Sequence, residues 1–198
     1  MPRFATLLFD LGGVLVENTH LDDLPNLVPD HLRKSDLHDL WLSSPAVRQF
    51  ERGQIDAATF SAQFVSEWNL ALTPGAFLER VADWPKGFYP GAADVLTALR
   101  RRHQIAYLSN SNALHWAGFS TILLHADRPF SSHICGLLKP DPDVFSFVIS
   151  ELDVEPGEIC FFDDSQSNVE AARRAGMEAY LTKGFGELTS RLGTLGLV

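Results

Sequence analysis

The sequence predicts an α/β protein built on a doubly wound parallel sheet, with a small all-helical part inserted after the first strand. Five short apolar runs are nearly continuous rather than alternating, which is typical of strands buried on both faces of a parallel sheet. Helical patterns alternate with the last four runs, as in strand–helix–strand units. Residues 12–104 separate the first run from the second and contain no strand-like pattern.

The predicted strands are the runs TLLFDL (6–11), IAYLSN (105–110), SHICG (132–136), EICFFDD (158–164) and EAYLT (178–182). Between them, one helix ends in the basic run 100–102, where positive charge suits the helix dipole. Asp141 and Pro142 predict the start of a second helix, as N-cap and first helical residue. Ser167 and Glu170 match a capping box for a third. This alternation indicates a Rossmann-like core.

The long interval after the first strand predicts a helical cap. Three amphipathic helices are expected there, starting at the capping residues Ser35, Asp56 and Thr73. Their apolar faces carry aromatic side chains at helical spacing, which favours packing between helices over a ligand site. We therefore expect a discontinuous core formed by residues 1–16 and 88–198, and a cap formed by residues 17–87.

Composition limits the classes of function. The chain has 198 residues, 45% of them hydrophobic, so it can bury a sizeable core. Its net charge of −9 argues against a nucleic-acid partner and against an anionic membrane surface. No stretch approaches the roughly 18–20 apolar residues that span a bilayer, and Asp10 interrupts the N-terminal apolar run before any signal-peptide pattern. The two cysteines, Cys135 and Cys160, form no metal motif and favour free thiols in a reducing cytoplasm.

Polar residues stand where the predicted strands end. Because the carboxyl ends of parallel strands share one edge of the sheet, we expect these side chains to meet there. Taken singly, each has another explanation, such as a turn cap, a helix cap, a surface lysine or a loop contact. Together they combine ligands for a hard cation such as Mg²⁺ with donors and an ammonium that suit a phosphate group. The residues are Asp10, Ser109, Asn110, Lys139, Asp163 and Asp164.

Four segments resemble the ordered motifs of the haloacid dehalogenase-like hydrolases. They are LLFDLGGVLV (7–16), YLSNSN (107–112), GLLKPDPDVF (136–145) and CFFDDSQSNVEAARRAG (160–176). FERGQIDAATF (50–60) and LSNSNALH (108–115) are similar to one branch, the bacterial α-D-glucose-1-phosphate phosphatases. The resemblance implies a Mg²⁺-dependent phosphatase that acts on a small phosphate ester, such as glucose 1-phosphate, and the sparse cysteines favour a cytoplasmic location. The sequence carries no indication of oligomeric state.

The resemblance also implies roles at the metal site. Asp10 is expected to attack phosphorus and form an aspartyl-phosphate, ionised at neutral pH because its ordinary pKa is about 3.9. Mg²⁺ is expected to bind the Asp10 carboxylate, the main-chain carbonyl of Gly12 and Asp164, with Asp163 supporting it through water. A dehalogenase would use the same nucleophile without a metal, so the paired acids argue against that class.

Phosphate binding is assigned by the same resemblance. Ser109 and Asn110 are expected to donate hydrogen bonds to phosphate oxygens. Lys139 is expected to be catalytic by balancing the negative charge of the phosphate and the nucleophile. Gly13 is expected to bind substrate through its backbone, where it provides a permissive φ or room for phosphate.

Gly12 departs from the family pattern, in which most phosphatases carry a second Asp at this position. That Asp protonates the leaving group and later activates water, and a glycine can do neither. Two hypotheses remain open. Either the protein is a weak or silent phosphate-binding member of the superfamily, or its substrate has a leaving group that needs little protonation, such as an anomeric oxygen.

Four further polar residues lie near the motifs and could supply the missing acid–base function or contact the substrate. Glu17, Asn18 and His20 follow the first motif and are predicted mainly as hinge or surface residues. His115 follows SNSN and is predicted mainly as a helix-surface residue, with contact to a sugar as the alternative. None of them is assigned a catalytic role.

Overall fold

The computed structural model describes residues 3–29, 32 and 37–198, except for the side chains at positions 20, 21, 38 and 39. The strands are β1 Thr6–Phe9, β2 Val16–Asn18, β3 Pro85–Phe88, β4 Gln104–Ser109, β5 Arg128–Ser131, β6 Ile159–Asp163 and β7 Glu178–Leu181. The helices are α1 His20–Leu27, α2 Leu37–Ser43, α3 Pro45–Glu51, α4 Ala57–Glu67, α5 Pro74–Ala82, α6 Ala92–Leu99, α7 Ala113–Gly118, α8 Ser120–Leu123, α9 Ser132–Cys135, α10 Pro142–Leu152, α11 Gln166–Arg174 and α12 Gly184–Thr194.

The main sheet has five strands in the order β5-β4-β1-β6-β7, and all its pairings are parallel. Strand β1 is central, with Thr6 opposite Gln104 on one side and Ile159 on the other. β1 and β6 are buried along their whole length because helices cover both faces of the sheet. The predicted α/β class with a doubly wound, Rossmann-like sheet is confirmed.

One predicted strand was misplaced. The run SHICG forms α9, which ends at Gly136 with a φ of 73°, and the neighbouring strand is β5, with the sequence RPFS. Proline is tolerated in β5 because this strand lies at the edge of the sheet, where fewer ladder hydrogen bonds are required. The apolar pattern failed here because an edge strand needs less burial than a central one.

The interval between β1 and β4 is not purely helical. β2 and β3 pair antiparallel, with Val16 opposite Phe88, at the two points where the chain passes between the sheet and the inserted helices. Each strand is three or four residues long, which is too short for a hydrophobic period to be detected in the sequence.

Three hydrophobic clusters organise the interior. Two of them cover the faces of the main sheet, one around Phe9 and Phe162 and the other around Leu8 and Phe161. The third lies among α1–α5 and contains the predicted aromatic side chains; its buried members include Trp41, Phe60, Phe64, Trp68, Phe77 and Trp84. This separate cluster supports the division into core and cap, which stays a prediction.

Two of the three predicted cap-helix starts lie within the described residues. The Asp56 carboxylate accepts a hydrogen bond from the Thr59 N–H, and the Thr73 hydroxyl accepts one from the Ala76 N–H. Ser35 lies outside the described residues. Within the described part of the chain, no helix combines the length and apolar character needed to cross a membrane. Both cysteines are free thiols, as predicted.

Helix α10 begins at Pro142, as predicted, but Asp141 does not cap it through its side chain. The Asp141 carboxylate instead forms ion pairs with Arg48 at 3.1 Å and Arg52 at 2.6 Å, both from the α3 segment. These pairs tie the inserted helices to the sheet beside the edge where the candidate site lies.

Candidate active site

Five of the six predicted polar residues line one cavity of about 330 Å³ at the carboxyl edge of the sheet, and the sixth, Asp163, contacts Lys139 without lining it. The inserted helices form its opposite wall. The sheet contributes Asp10, Ser109, Asn110, Lys139 and Asp164, and the two glycines after β1 line the same cavity. The expected convergence of the strand ends therefore occurs in the structure, although the chemical role of each residue remains a prediction.

Lys139 is held between two carboxylates. Its Nζ donates to Asp10 Oδ1 at 2.8 Å and to Asp163 Oδ2 at 2.6 Å, and its side chain is 1% exposed. The ammonium also lies 5.6 Å from the centre of the Phe161 ring. Lys139 is thus not a surface lysine, because its charge is buried and directed at the predicted nucleophile.

Asp163 uses both of its carboxylate oxygens within the protein. Oδ2 accepts from Lys139, and Oδ1 accepts from the Ser165 N–H and from Asn168 Nδ2, each at 2.9 Å. Asp163 is fully buried, so it orients Lys139 and is less available to a metal than Asp10 or Asp164. The predicted capping box is wrong: Ser165 occupies the N-cap of α11, and Asn168 binds Asp163 instead.

The side chain of Asn110 holds the loop that bears Lys139. Its Nδ2 donates to the Lys139 carbonyl and its Oδ1 accepts from the Lys139 N–H, both at 2.9 Å. Asn110 also lines the cavity, and its amide nitrogen carries a second hydrogen, so donation to a phosphate stays a prediction. Ser109 is buried and lines the cavity, and its hydroxyl makes only a long 3.5 Å contact with the Asn110 carbonyl.

The pKa of Asp10 differs from the sequence expectation. Burial raises it to about 8, the charges of Asp163 and Asp164 add to the rise, and the ammonium of Lys139 opposes it. The neighbouring carboxylates also raise the pKa of Lys139. The expectation that Asp10 keeps its ordinary pKa is wrong for the metal-free protein, because that value applies to a solvated carboxylate.

The donor set fits Mg²⁺. Asp10, Asp163 and Asp164 each offer a carboxylate oxygen, and these three atoms lie within 4.8 Å of one another. With one ammonium against three carboxylates, the ionised cluster keeps two negative charges in excess, which one divalent cation would balance. Hard divalent cations prefer such oxygen ligands. Asp10, Asp164 and the main chain of Gly12 would hold the ion, with Asp163 behind them.

Gly13 is required by its close approach to Asp164. Its φ is +73°, and a Cβ added there would lie 2.2 Å from Asp164 Oδ2. A side chain at this position would clash with the carboxylate as well as strain the backbone. The sequence predicted the permissive φ, and the structure shows that the space is taken by a carboxylate.

We expect Gly13→Ala to weaken Mg²⁺ binding by at least about tenfold, because the new methyl group displaces the Asp164 carboxylate. Isothermal titration with Mg²⁺ measures this directly. Gly186→Ala is the matched control, since Gly186 lies in α12 with no atom within 4 Å of an added Cβ. Equal Mg²⁺ affinity in the Gly13 variant and the control contradicts the assignment.

Gly12 faces Asn18 of β2. A Cβ at position 12 would lie 3.2 Å from Asn18 Nδ2, which is closer than most real contacts. A side chain at position 12 would therefore require the Asn18 side chain to shift by a few tenths of an ångström, and Asn18 also lines the cavity. Glu17, the preceding residue, is exposed and does not line it.

His115 bridges the core and the inserted helices. Its Nε2–H donates to the Val81 carbonyl of α5 at 2.7 Å, and its Nδ1 accepts from Asn112 Nδ2 at 3.3 Å. Burial lowers its pKa, which keeps the ring neutral at pH 7. His115 is therefore not a surface residue, and both ring nitrogens are engaged within the protein. The His20 side chain lies outside the described part of the chain.

The wall formed by the inserted helices was not predicted from the sequence. It includes Trp41, Leu42, Glu51 and Trp84. Trp84 Nε1 donates to Asp23 Oδ2 at 3.0 Å. One sequence feature could have indicated Glu51: α3 buries Ala46, Val47 and Phe50 on one side, and Glu51 is a charged residue on that same buried side.

The comparisons with known proteins agree with this geometry. A family model described as haloacid dehalogenase-like hydrolase matches residues 4–176. D-ribitol-5-phosphate phosphatase of Bacteroides thetaiotaomicron is 26% identical over 188 residues, which cover 88% of this chain and 89% of that protein. These findings agree with the predicted enzyme class, a phosphoric monoester hydrolase.

Solved structures show the same fold. A HAD-like family hydrolase from Porphyromonas gingivalis matches with a TM-score of 0.78 at 20% identity, over 98% of each chain. A HAD family enzyme from Bacteroides thetaiotaomicron, solved with magnesium and inorganic phosphate, matches with a TM-score of 0.72 at 22% identity, over 91% of this chain and 94% of that one. The motifs, the buried lysine between two strand-end carboxylates and the match over residues 4–176 together place this chain in the haloacid dehalogenase-like hydrolases.

Proposed function

We propose that this protein is a Mg²⁺-dependent phosphatase that hydrolyses a small phosphate monoester through a phosphorylated Asp10. The observation that carries the proposal is the cluster of three carboxylates, two of which contact the buried ammonium of Lys139. When ionised, this cluster has two excess negative charges, which a divalent cation would balance. The same cation would also balance negative charge on a bound phosphate ester. Mg²⁺ would offset the repulsion between the ester and Asp10.

The chain's own residues supply nucleophile, charge and position. Asp10 attacks phosphorus, and the bond to the leaving oxygen breaks as the Asp10–phosphorus bond forms. Lys139 stays beside Asp10 Oδ1 and balances charge on the transferring group. The Ser109 hydroxyl, whose contact with the Asn110 carbonyl is long at 3.5 Å, would donate to the phosphate, and Asn110 keeps the Lys139 loop in place. This is catalysis by positioning and electrostatics.

We propose a sugar phosphate or sugar-alcohol phosphate as the substrate class, with glucose 1-phosphate as the first candidate. The cavity wall opposite the carboxylates combines two indole rings, Trp41 and Trp84, with the polar side chains of Asn18, Asp22 and Glu51. A sugar presents apolar ring faces as well as hydroxyl groups. Indole rings can pack against the ring faces, and polar side chains can hydrogen-bond to the hydroxyl groups. The ribitol phosphate substrate named for the bacterial relative belongs to the same chemical class.

Because Gly12 cannot protonate the leaving group, we expect esters with good leaving groups to react faster. The kcat/KM for glucose 1-phosphate and for 4-nitrophenyl phosphate should exceed that for glucose 6-phosphate by at least about tenfold, since general acid catalysis is worth about 10²–10⁴-fold. A phosphate-release assay over this panel with Mg²⁺ measures the ratio.

The panel also separates the two hypotheses about Gly12. Equal kcat/KM values for anomeric and alkyl phosphates contradict the leaving-group explanation. If the protein binds Mg²⁺ and phosphate but turns over none of the esters, the result favours the silent binding protein. Gly12 is the specific observation that supports this second hypothesis.

A further inference from the structure

Hydrolysis of a phosphorylated Asp10 needs a base, and Gly12 does not provide one. The water that attacks phosphorus must lose a proton, and a carboxylate is a common acceptor. Among the described residues lining the cavity from the inserted helices, two carry a carboxyl group, Asp22 and Glu51. Asp22 is exposed to solvent, whereas Glu51 is buried at the end of α3. Only Glu51 is enclosed with the reacting groups.

Glu51 lacks a cationic partner among the described residues. Its neighbours Arg48 and Arg52 both pair with Asp141, and Lys139 pairs with Asp10 and Asp163. The Trp41 side chain lowers the pKa of the Glu51 carboxyl, but no cation among the described residues forms an ion pair with it. A buried carboxyl that gains no ion pair costs stability, which makes its presence in this cavity hard to explain by packing.

The position of Glu51 relative to the nucleophile follows from shared neighbours. Glu51 and Asp10 line the same cavity of about 330 Å³, and the ammonium that contacts Asp10 at 2.8 Å also acts electrostatically on Glu51. A cavity of this volume can hold a phosphate group and a water. Glu51 therefore belongs to the wall contributed by the inserted helices, opposite to the strand end that carries Asp10.

We propose that Glu51 is the general base that activates the water which hydrolyses the phosphorylated Asp10. This role rests on the proposed phosphatase function. The water oxygen forms a bond to phosphorus, one water proton passes to the Glu51 carboxylate, and the bond between phosphorus and Asp10 breaks with its electron pair returning to Asp10. Glu51 then releases the proton to solvent. Leaving-group departure is a separate, earlier step, so the expected preference for anomeric esters is unaffected.

The environment of Glu51 predicts a pH dependence for this step. Burial is the largest influence and raises its pKa to about 7, against the lowering effects of Trp41, Lys139 and Arg48. Glu51 is protonated below that value and ionised above it, so hydrolysis of the phosphoenzyme should accelerate as pH rises through about 7. The charged or titratable groups on this cavity are Asp10, Asp22, Asp164, Lys139 and His115, with Arg48 on the same helix as Glu51.

The test compares Glu51→Gln with Glu79→Gln, which removes an exposed carboxylate from the same set of helices. With 4-nitrophenyl phosphate and Mg²⁺, Glu51→Gln should lower kcat by about 10²–10⁴-fold. Its kcat/KM should change by less than about threefold, because phosphorylation of Asp10 is retained. Rapid mixing should show a burst of nitrophenolate, and intact-protein mass spectrometry should show a stable phosphoryl adduct.

The controls separate this role from a structural one. The amide should fold at least as stably as the wild type at pH 8, since it removes a buried charge, and circular dichroism checks this. Glu51→Asp, which keeps the acid, should retain part of the activity and the rise near pH 7, and it provides the test if the amide variant does not fold.

Two results overturn the role of Glu51 while leaving the phosphatase intact. One is a Glu51→Gln variant that turns over like Glu79→Gln. The other is an equal fall in kcat and kcat/KM without a phosphoryl adduct, which indicates substrate binding. If the wild type releases no phosphate and forms no adduct, the proposed function fails together with this inference.

Discussion

Replacing Asp10 by asparagine is expected to reduce Mg²⁺-dependent phosphate release by at least about 10³-fold, because the amide cannot attack phosphorus. The amide can still accept the hydrogen bond from Lys139, so the fold should be retained. The substitution also removes one of the three carboxylates that fit the cation. Mg²⁺ affinity should therefore fall together with turnover, and titration calorimetry beside the phosphate assay measures both effects.

The matched control for this variant is Asp94→Asn, an exposed aspartate in the first turn of α6. It should keep wild-type turnover and Mg²⁺ affinity. If Asp10→Asn keeps more than about a tenth of the wild-type turnover, another group is the nucleophile, because the asparagine amide cannot attack phosphorus at that rate.

Replacing Lys139 by methionine is expected to have the largest effect on stability. Methionine fills a similar volume but leaves Asp10 and Asp163 buried without the ammonium that both contact. Breaking a buried ion pair in this way costs about 3–5 kcal/mol of unfolding free energy. Turnover should fall by at least about 10²-fold, because the positive charge beside the nucleophile is lost.

The stability loss should depend on pH in the metal-free protein. Lys139 lowers the pKa of Asp10, so its removal raises that pKa further above the value in the unfolded chain. A carboxyl with a raised folded-state pKa costs stability as pH rises above its unfolded pKa, because the unfolded chain ionises while the folded protein keeps the proton. The variant, with the higher folded-state pKa, goes on losing stability beyond the pH at which the loss in the wild type levels off. Lys139→Met should therefore be closer to the wild type at pH 5 than at pH 8.

Urea unfolding at the two pH values measures this difference, with Lys183→Met as the control. Lys183 is an exposed lysine, so its loss should change the unfolding free energy by less than about 0.5 kcal/mol. If Lys139→Met unfolds at the same urea concentration as the control at pH 8, the buried ion-pair cluster does not stabilise the fold as described.

The central part of the fold was predictable because its strands are buried on both faces. Continuous apolar runs located β1, β4 and β6, and the polar residues directly after them identified the edge where the site forms. The cap helices around Asp56 and Thr73 were predictable from capping residues and aromatic spacing. For each of these elements, the local sequence pattern and the tertiary packing favour the same secondary structure.

For the strands that were misplaced or missed, the local sequence pattern does not indicate the secondary structure that the tertiary fold imposes. β5 is an edge strand containing proline, so its apolar pattern is weak. The ribbon of β2 and β3 is stabilised by pairing between distant segments, which a short sequence window does not contain. Ser167 and Glu170 match a capping box in sequence, but α11 begins earlier, with Ser165 at its N-cap. The buried Asp163 accepts a hydrogen bond from Asn168 in the first turn of this helix.

The candidate site was predicted on the sheet side and missed on the helix side. The carboxyl ends of parallel strands lie at one edge of the sheet, so residues there can be predicted to converge. The orientation of an inserted helix depends on packing that the sequence pattern does not specify. Glu51 lines the cavity from the end of α3, and Arg48 and Arg52 beside it pair with Asp141 at the start of α10. Asn110 was assigned to phosphate because its type suits an anion, and its contacts with the nearby Lys139 backbone were not predicted.

The most direct measurement is phosphate release by the wild-type protein from a panel of sugar phosphates and 4-nitrophenyl phosphate, with Mg²⁺ and again after chelation. The carboxylate cluster around Lys139 predicts turnover with Mg²⁺, loss of it with chelator and recovery when Mg²⁺ is restored. Phosphate release that is unaffected by chelation, or no release from any ester with Mg²⁺ present, would contradict a Mg²⁺-dependent phosphatase with Asp10 as its nucleophile.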